Sequence, residues 1–346
     1  MRKLIIGIVV VFLLIQPVTA VEYTAPTAPE SGSKYMPPDT KDFSNDLWYV
    51  VKSAFANLQP SIADAVKVCI SVISVAMLLS IIQAFTGISK QLVCLIGSIS
   101  LGVLLLKSSD SMIQLGTKTV VELSDYCKLL IPTLTAATAA GGMPASSAAL
   151  YTGTSLFCSV LSSAISNLVV PLIYIFICLA IAECAIYDEI FQELKSFVKW
   201  LSTWIMKIVL YIFTGYISIT GIISGSVDAA AIKATKLTLS GAVPVVGSII
   251  SDASESILLS AGAIKNAAGV YGMIAAIATF IGPFLHIGIH YLMLKITGAI
   301  SGVFASKETA KLLKDVTSAM GLVLGMIGTV CLLLLISVVC FLRSVG

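Results

Sequence analysis

Charge is what this chain has least of. Only 11% of its 346 residues are Asp, Glu, Lys or Arg, against 58% hydrophobic ones and a mean hydropathy of +1.01. A soluble domain carries about 25% charged residues, because a water-facing surface requires them. An ordinary water-soluble globule is therefore excluded. The 21 basic residues barely outnumber the 18 acids and are spread along the whole length. That gives no basic stripe to grip a phosphate backbone, so nucleic acid is excluded as a partner. The eight cysteines, Cys69, Cys94, Cys127, Cys158, Cys178, Cys184, Cys331 and Cys340, form no C-x-x-C pair and no Cys/His spacing suited to zinc. They read as small buried hydrophobes, with neither a metal site nor a disulfide framework expected. No G-x-x-x-x-G-K-S/T loop, H-E-x-x-H helix or G-x-S-x-G elbow occurs, so neither an enzymatic activity of those kinds nor a cofactor is expected.

What is present in quantity is uncharged sequence. A charge at the bilayer centre costs about 2.5–3.5 kcal/mol on insertion scales, so gaps between charges map what can enter lipid. Such gaps run over 68–89, 91–106, 129–182, 208–227, 237–251, 266–294 and 316–342. A helix needs about 20 residues to cross ~30 Å of hydrocarbon. The stretch 129–182 therefore holds at least two passes. Helices are predicted at about 66–86, 90–107, 129–150, 155–184, 205–226, 256–281, 283–304 and 320–342, which makes an all-α, polytopic membrane bundle of seven or eight spans. Two charged amphipathic stretches, 188–200 and 306–320, are predicted to lie on the membrane surface.

The N-terminus differs from the rest. Arg2 and Lys3 precede an apolar core from Leu4 to Ile15, then Gln16, Pro17 and the small-residue ending Val18-Thr19-Ala20. This reads as a signal peptide over 1–20, with a retained first span as the alternative. Residues 21–46 carry Pro26, Pro29, Pro37 and Pro38 among Ser, Thr, Gly and Asp, and cannot bury enough apolar area to fold alone. They are expected to form an extracytoplasmic leader. An amphipathic segment with Trp48, Tyr49, Val51, Phe55 and Leu58 follows, suited to the lipid interface or to capping the bundle. It belongs with the first two spans in a unit over 47–119.

The remainder reads as a duplication. Pro132 and Pro171 are as far apart as Pro244 and Pro283, and an offset of 112 (244 − 132) superposes both pairs. The same offset places Lys195 and Lys199 on Lys307 and Lys311. Residues 120–225 and 232–346 are accordingly assigned as two membrane repeats. Each contains a segment expected to break its helix: Pro132 through Gly141, Gly142 and Pro144 in the first, Pro244 and Gly247 leading to Asp252 and Glu255 in the second. Unwound backbone in lipid is tolerated only beside protein or a wet cavity, so re-entrant segments lining a solute path are one expectation and interfacial loops the other. Lys265 with Asn266 is the strongest single candidate for lining a conduit, because intramembrane ionisable groups are costly. Glu183 and Lys295 are functional candidates on the same ground, with snorkelling to the interface as the alternative. His286 and His290, four apart, share a helix face; packing is the expectation and proton relay the alternative. Gly221/Gly225, Gly298/Gly302 and Gly321/Gly325 are G-x-x-x-G pairs expected to let helices approach closely.

The run Gly241-Ala242-Val243-Pro244-Val245-Val246-Gly247-Ser248-Ile249-Ile250-Ser251-Asp252-Ala253-Ser254-Glu255-Ser256, followed by Lys265-Asn266-Ala267-Ala268-Gly269-Val270-Tyr271-Gly272, closely resembles the signature stretch of the stage III sporulation protein AE family. The region from Ile131-Pro132 to Ala148 is similar to that family's other marked segment. The resemblance extends over roughly 45–346. It implies a multi-pass protein made in the mother cell of an endospore-forming bacterium, set in the membrane surrounding the forespore. Its partners would be membrane lipid and other stage III sporulation channel proteins, with a homo-oligomer left open. The function implied is a transport-like subunit of a channel complex joining mother cell and forespore. A free-standing secondary transporter and a structural anchor without a permeation path are the alternatives.

Overall fold

The computed structural model describes residues 25–40, 42–85, 89–186, 189–242 and 247–343, with the side chains of 90–91 and 220–265 outside the description. Every regular element among these residues is helical. A short turn of helix, α1 (Glu30–Ser33), precedes α2 (Phe43–Ala56), α3 (Gln59–Phe85), α4 (Lys90–Ala140) and α5 (Pro144–Ala164). A π turn over Ile165–Val169 joins α5 to α6 (Val170–Ile186), and α7 (Glu189–Ala242), α8 (Gly247–Ser301) and α9 (Lys307–Arg343) complete the chain.

Among the described residues, six helical stretches are long and apolar enough to cross a membrane. The count falls below the seven or eight read from charge gaps because neighbouring gaps belong to single helices. The predicted spans 90–107 and 129–150 are not separate: α4 runs unbroken through the charges between them for 51 residues, about 76 Å at 1.5 Å per residue. Likewise 256–281 and 283–304 are one helix, α8, continuous through Pro283. The two predicted surface helices are the opening turns of α7 and α9, which contain no residue that stops a helix before the apolar part begins.

Local chemistry explains the ends that do occur. Ser89 caps α4 by accepting from the Leu92 N–H at 3.4 Å, and Asp42 caps α2 by accepting from Ser44 N–H at 3.1 Å. At the other end of α4, Gly141 donates to the Ala137 carbonyl at 3.0 Å, and Gly142 takes φ 86°, a conformation open to glycine. Pro144 then opens α5 at a position where its missing N–H costs nothing. Pro171 follows the π turn, whose extra residue relieves the clash a proline ring makes with the carbonyl four residues back.

The core is organised around α9, which packs most extensively on α8 and α4. Leu312, Val316, Val323, Ile327, Leu334 and Phe341 along it are fully buried. Close backbone approach comes from Gly116, where an added Cβ would lie 2.7 Å from Val323 Cγ1, and from Gly272, where it would lie 2.5 Å from Leu130. The G-x-x-x-G pairs play no such part where they are described. Gly298 and Gly321 leave a Cβ at ordinary contact distances of 3.6 and 3.7 Å. Gly221 and Gly225 fall among the side chains not described.

The leader is not a free tether. It docks lengthwise on α8 and α4: Tyr35 is buried against Gly282, Gly32 sits on the Thr279 backbone, and Ala28 N–H donates to Tyr271 Oη at 3.3 Å. Tyr126 Oη donates to the Pro26 carbonyl at 3.4 Å, and Ser31 donates to Glu122. Its few apolar residues borrow a surface they could not make themselves. Helix α2 then lays Val50 and Ala54 on Ile274 and Ala278 and leaves Trp48, Tyr49 and Phe55 exposed. Both sequence readings of this segment, cap and interfacial helix, describe one of its two faces.

Candidate functional site

The helix ends on one face of the bundle bring together Lys195, Lys199, Lys295, Lys307, Lys311 and Lys314. Cys94 at the start of α4 touches the Cys184 carbonyl at the end of α6, and Ser80 near the end of α3 donates to the Phe304 carbonyl in the α8–α9 turn at 2.9 Å. The first turns of α7 and α9 arrive at the same level. Helix α7 buries Lys195, Val198, Ser202, Met206, Val209 and Phe213, one face at helical spacing. Lys195 thus belongs to the apolar face of its helix rather than to the charged one.

Its charge is compensated by residues from two other helices. Lys195 Nζ, on a residue only 5% exposed, donates to Glu183 Oε2 on α6 and to Asp315 Oδ2 on α9. Lys311 on α9 lies 2.5 Å from the other Glu183 oxygen and donates to Gln192 Oε1 at 2.7 Å. Two lysines thereby face two carboxylates in a neutral network that ties three helices together. Buried charges persist only when paired in this way. A cavity of about 280 Å³ opens beside the network, bounded by Glu183, Gln192, Glu308, Lys311 and Asp315. One Glu308 carboxylate oxygen is buried beside it without a hydrogen-bond partner among the described residues.

A second polar cluster lies deeper. His286 Nδ1 is 2.6 Å from Ser61 Oγ, and its ring stands 5.1 Å from that of His290, centroid to centroid. His290 is 3% exposed, and neither ring nitrogen has a hydrogen-bond partner among the described residues. No group of three or more His, Cys, Asp and Glu suited to a metal ion occurs among the described residues.

The other sequence candidates are scattered. Pro132 sits inside α4 without breaking it, and Gly141, Gly142 and Pro144 form the tight α4–α5 turn. That segment is a tight helix–helix junction. Asn266 is exposed on α8. Pro244 lies outside the described residues, and Gly247, Asp252, Glu255 and Lys265 lie where side chains are not described.

Of the two readings of Glu183, functional candidate and snorkelling residue, the structure disfavours the second, since Glu183 is buried in the ion network. The signal that would have identified it was the register of Lys195 with Val198 and Ser202. Cys127 and Cys158 bring their thiols within 2.7 Å in the core, and all eight cysteines are free.

A family profile described as stage III sporulation protein AE matches residues 39–344. The stage III sporulation protein AE of Bacillus subtilis (strain 168) is 24% identical over 171 residues, an alignment covering 49% of this chain and 43% of that protein. The aligned part thus spans less than half of the relative's length. No solved structure matches.

Proposed function

The chain belongs to the stage III sporulation protein AE family, a multi-pass membrane component of sporulation, and from that membership we propose that it is the transport-like subunit of a channel complex joining mother cell and forespore. The observation that carries the reading is the Glu183–Lys195–Asp315–Lys311 network beside its cavity. Ionisable groups in a lipid-embedded bundle are expensive, and they mark solute or proton paths by default. Either passage of small solutes through the bundle or assembly of partners upon it would employ such a site. A second reading, a structural anchor whose charges only pin helices together, would also use a neutral network of this kind.

The lysine-rich end faces the mother-cell cytoplasm in this proposal. Lys195, Lys199, Lys295, Lys307, Lys311 and Lys314 lie there, against Lys34, Lys52, Lys67, Lys118 and Lys128 toward the other half, a small excess of the basic residues that short cytoplasmic flanks carry. The leader, docked toward the opposite half, is then extracytoplasmic, in keeping with its signal peptide. The N-termini of α7 and α9 meet at one end through the Lys195–Asp315 pair, which supports a parallel relation between the two repeats. A cysteine placed at exposed Glu193 is expected to react with an impermeant maleimide only after the mother-cell membrane is opened. Protection that persists after the mother-cell membrane is opened, and ends only when the membrane around the forespore is permeabilised as well, would reverse the orientation.

Function is tested by replacing the native copy with Lys311→Met in sporulating cells. Lys311 is 46% exposed at its side chain, so its removal opens the network at the cavity while leaving the Lys195 pairs in place. The expected result is a protein that still co-purifies with stoichiometric membrane partners while late forespore gene expression falls several-fold. Unchanged expression with intact partners argues for the anchor, and purification without partners argues for a free-standing transporter.

A further inference from the structure

We propose that the groove between α7, α8 and α9, one turn below the ion network, binds the phosphate-bearing headgroup of an anionic phospholipid. The groove is a cavity of about 660 Å³ into which Lys199 from α7, Lys295 from α8 and Lys314 from α9 converge. Among the described residues no carboxylate lines it, and none of the three lysines is ion-paired. The neighbouring cavity, by contrast, mixes the acids Glu183, Glu189, Glu308 and Asp315 with Lys307 and the paired Lys311. The three lysines are exposed, with Lys295 Nζ 5.9 Å from the Tyr291 ring centroid, and like charges from three separate helices around one groove attract an anion.

The depth of the groove selects lipid as the source of that anion. Lys295 is six residues before Ser301, Lys314 seven after Lys307 and Lys199 ten after Glu189. At 1.5 Å per residue these are about 9, 10 and 15 Å from the helix ends, the region where long cationic side chains reach toward headgroups. Exposed Phe197, Trp200 and Trp204 stack in a ladder with centroids 5.9 and 6.0 Å apart beside Lys199, and such aromatic belts mark the membrane interface. Below the lysines the walls carry Tyr291, Leu294, Gly321 and Leu322, with Thr317 and Ser318 one turn under Lys314. A headgroup phosphate would sit among the ammonium groups with an acyl chain running down this wall. Basic pockets between membrane helices recognise anionic lipids by this combination of charge and depth. The inference needs only the membrane location and stands apart from any permeation role.

The test uses the full chain with Trp48→Phe, so that Trp200 and Trp204 report. It is reconstituted in phosphatidylcholine vesicles containing either brominated phosphatidylglycerol or brominated phosphatidylcholine. Stronger quenching by the brominated anionic lipid is expected, with a relative binding constant that falls about fivefold for each of Lys199→Gln, Lys295→Gln and Lys314→Gln. Lys52→Gln, an equal charge change on distant α2, is expected to leave it unaltered. Gly321→Leu keeps every charge, has room for its Cβ, and is expected to abolish the preference by filling the groove. Equal quenching by both lipids, or equal losses in Lys52→Gln and the groove variants, would overturn the proposal. Displacement by millimolar inorganic phosphate would identify a free-phosphate site instead of a lipid one.

Discussion

Lys195→Met is expected to destabilise the bundle by about 3–5 kcal/mol, the cost of breaking a buried pair and leaving its partners uncompensated. Lys195 Nζ contacts Glu183 and Asp315 at once, and the side-chain exposures of the three are 6%, 9% and 15%. Glu183 retains Lys311 after the substitution, so the larger share of the loss falls on Asp315. The measurement is the apparent unfolding free energy of the detergent-solubilised protein, compared with wild type.

The triple variant Lys195→Met, Glu183→Gln, Asp315→Asn is expected to recover most of that loss. Replacing a whole buried ion network by neutral groups is often neutral or stabilising. Recovery would separate the two roles that the network can have. A triple variant as stable as wild type that no longer supports sporulation shows that the charges serve function, because stability has been restored without them. A single variant as stable as wild type would show that the Lys195 ammonium is not held in a buried network at all.

Much of the helical architecture was readable from sequence, because charge gaps and amphipathic spacing are local signals. The positions of α3, α6 and the apolar part of α9, and the two-faced α2, follow from them. What was not readable depended on distant partners. Pro132 and Pro283 look like breakers in isolation. Inside long helices that pack along their length, the loss of one backbone hydrogen bond at each proline is outweighed by flanking contacts.

The Lys195 partners lie 12 and 120 residues away, so charge placement alone made its segment look like a surface helix. Docking of the leader was equally hidden. Proline-rich sequence that cannot fold alone still folds onto a surface shaped for it, here the Thr279–Gly282 stretch of α8 that receives Gly32 and Tyr35. Among the candidate site residues, sequence singled out His286 and His290 as a pair sharing a face, and they are adjacent. It placed no weight on Ser61, which meets His286 from α3, 225 residues away.

His290→Leu is expected to make the protein more stable and less useful. A buried polar group left without a hydrogen bond costs about 1–3 kcal/mol, and His290 is enclosed with both ring nitrogens unpartnered among the described residues. Leucine of similar bulk removes that cost, so the apparent unfolding free energy should rise by a comparable amount. His286→Leu should do the opposite, by about 1 kcal/mol, since it strips Ser61 Oγ of the ring nitrogen 2.6 Å away. A group retained at a net cost to the fold is expected to be retained for what it does. Sporulating cells carrying His290→Leu as their only copy should therefore form fewer heat-resistant spores despite normal protein levels. Full spore yield from the stabilised variant would assign His290 to packing, and a fall in stability would show that its ring is hydrogen-bonded in the membrane after all.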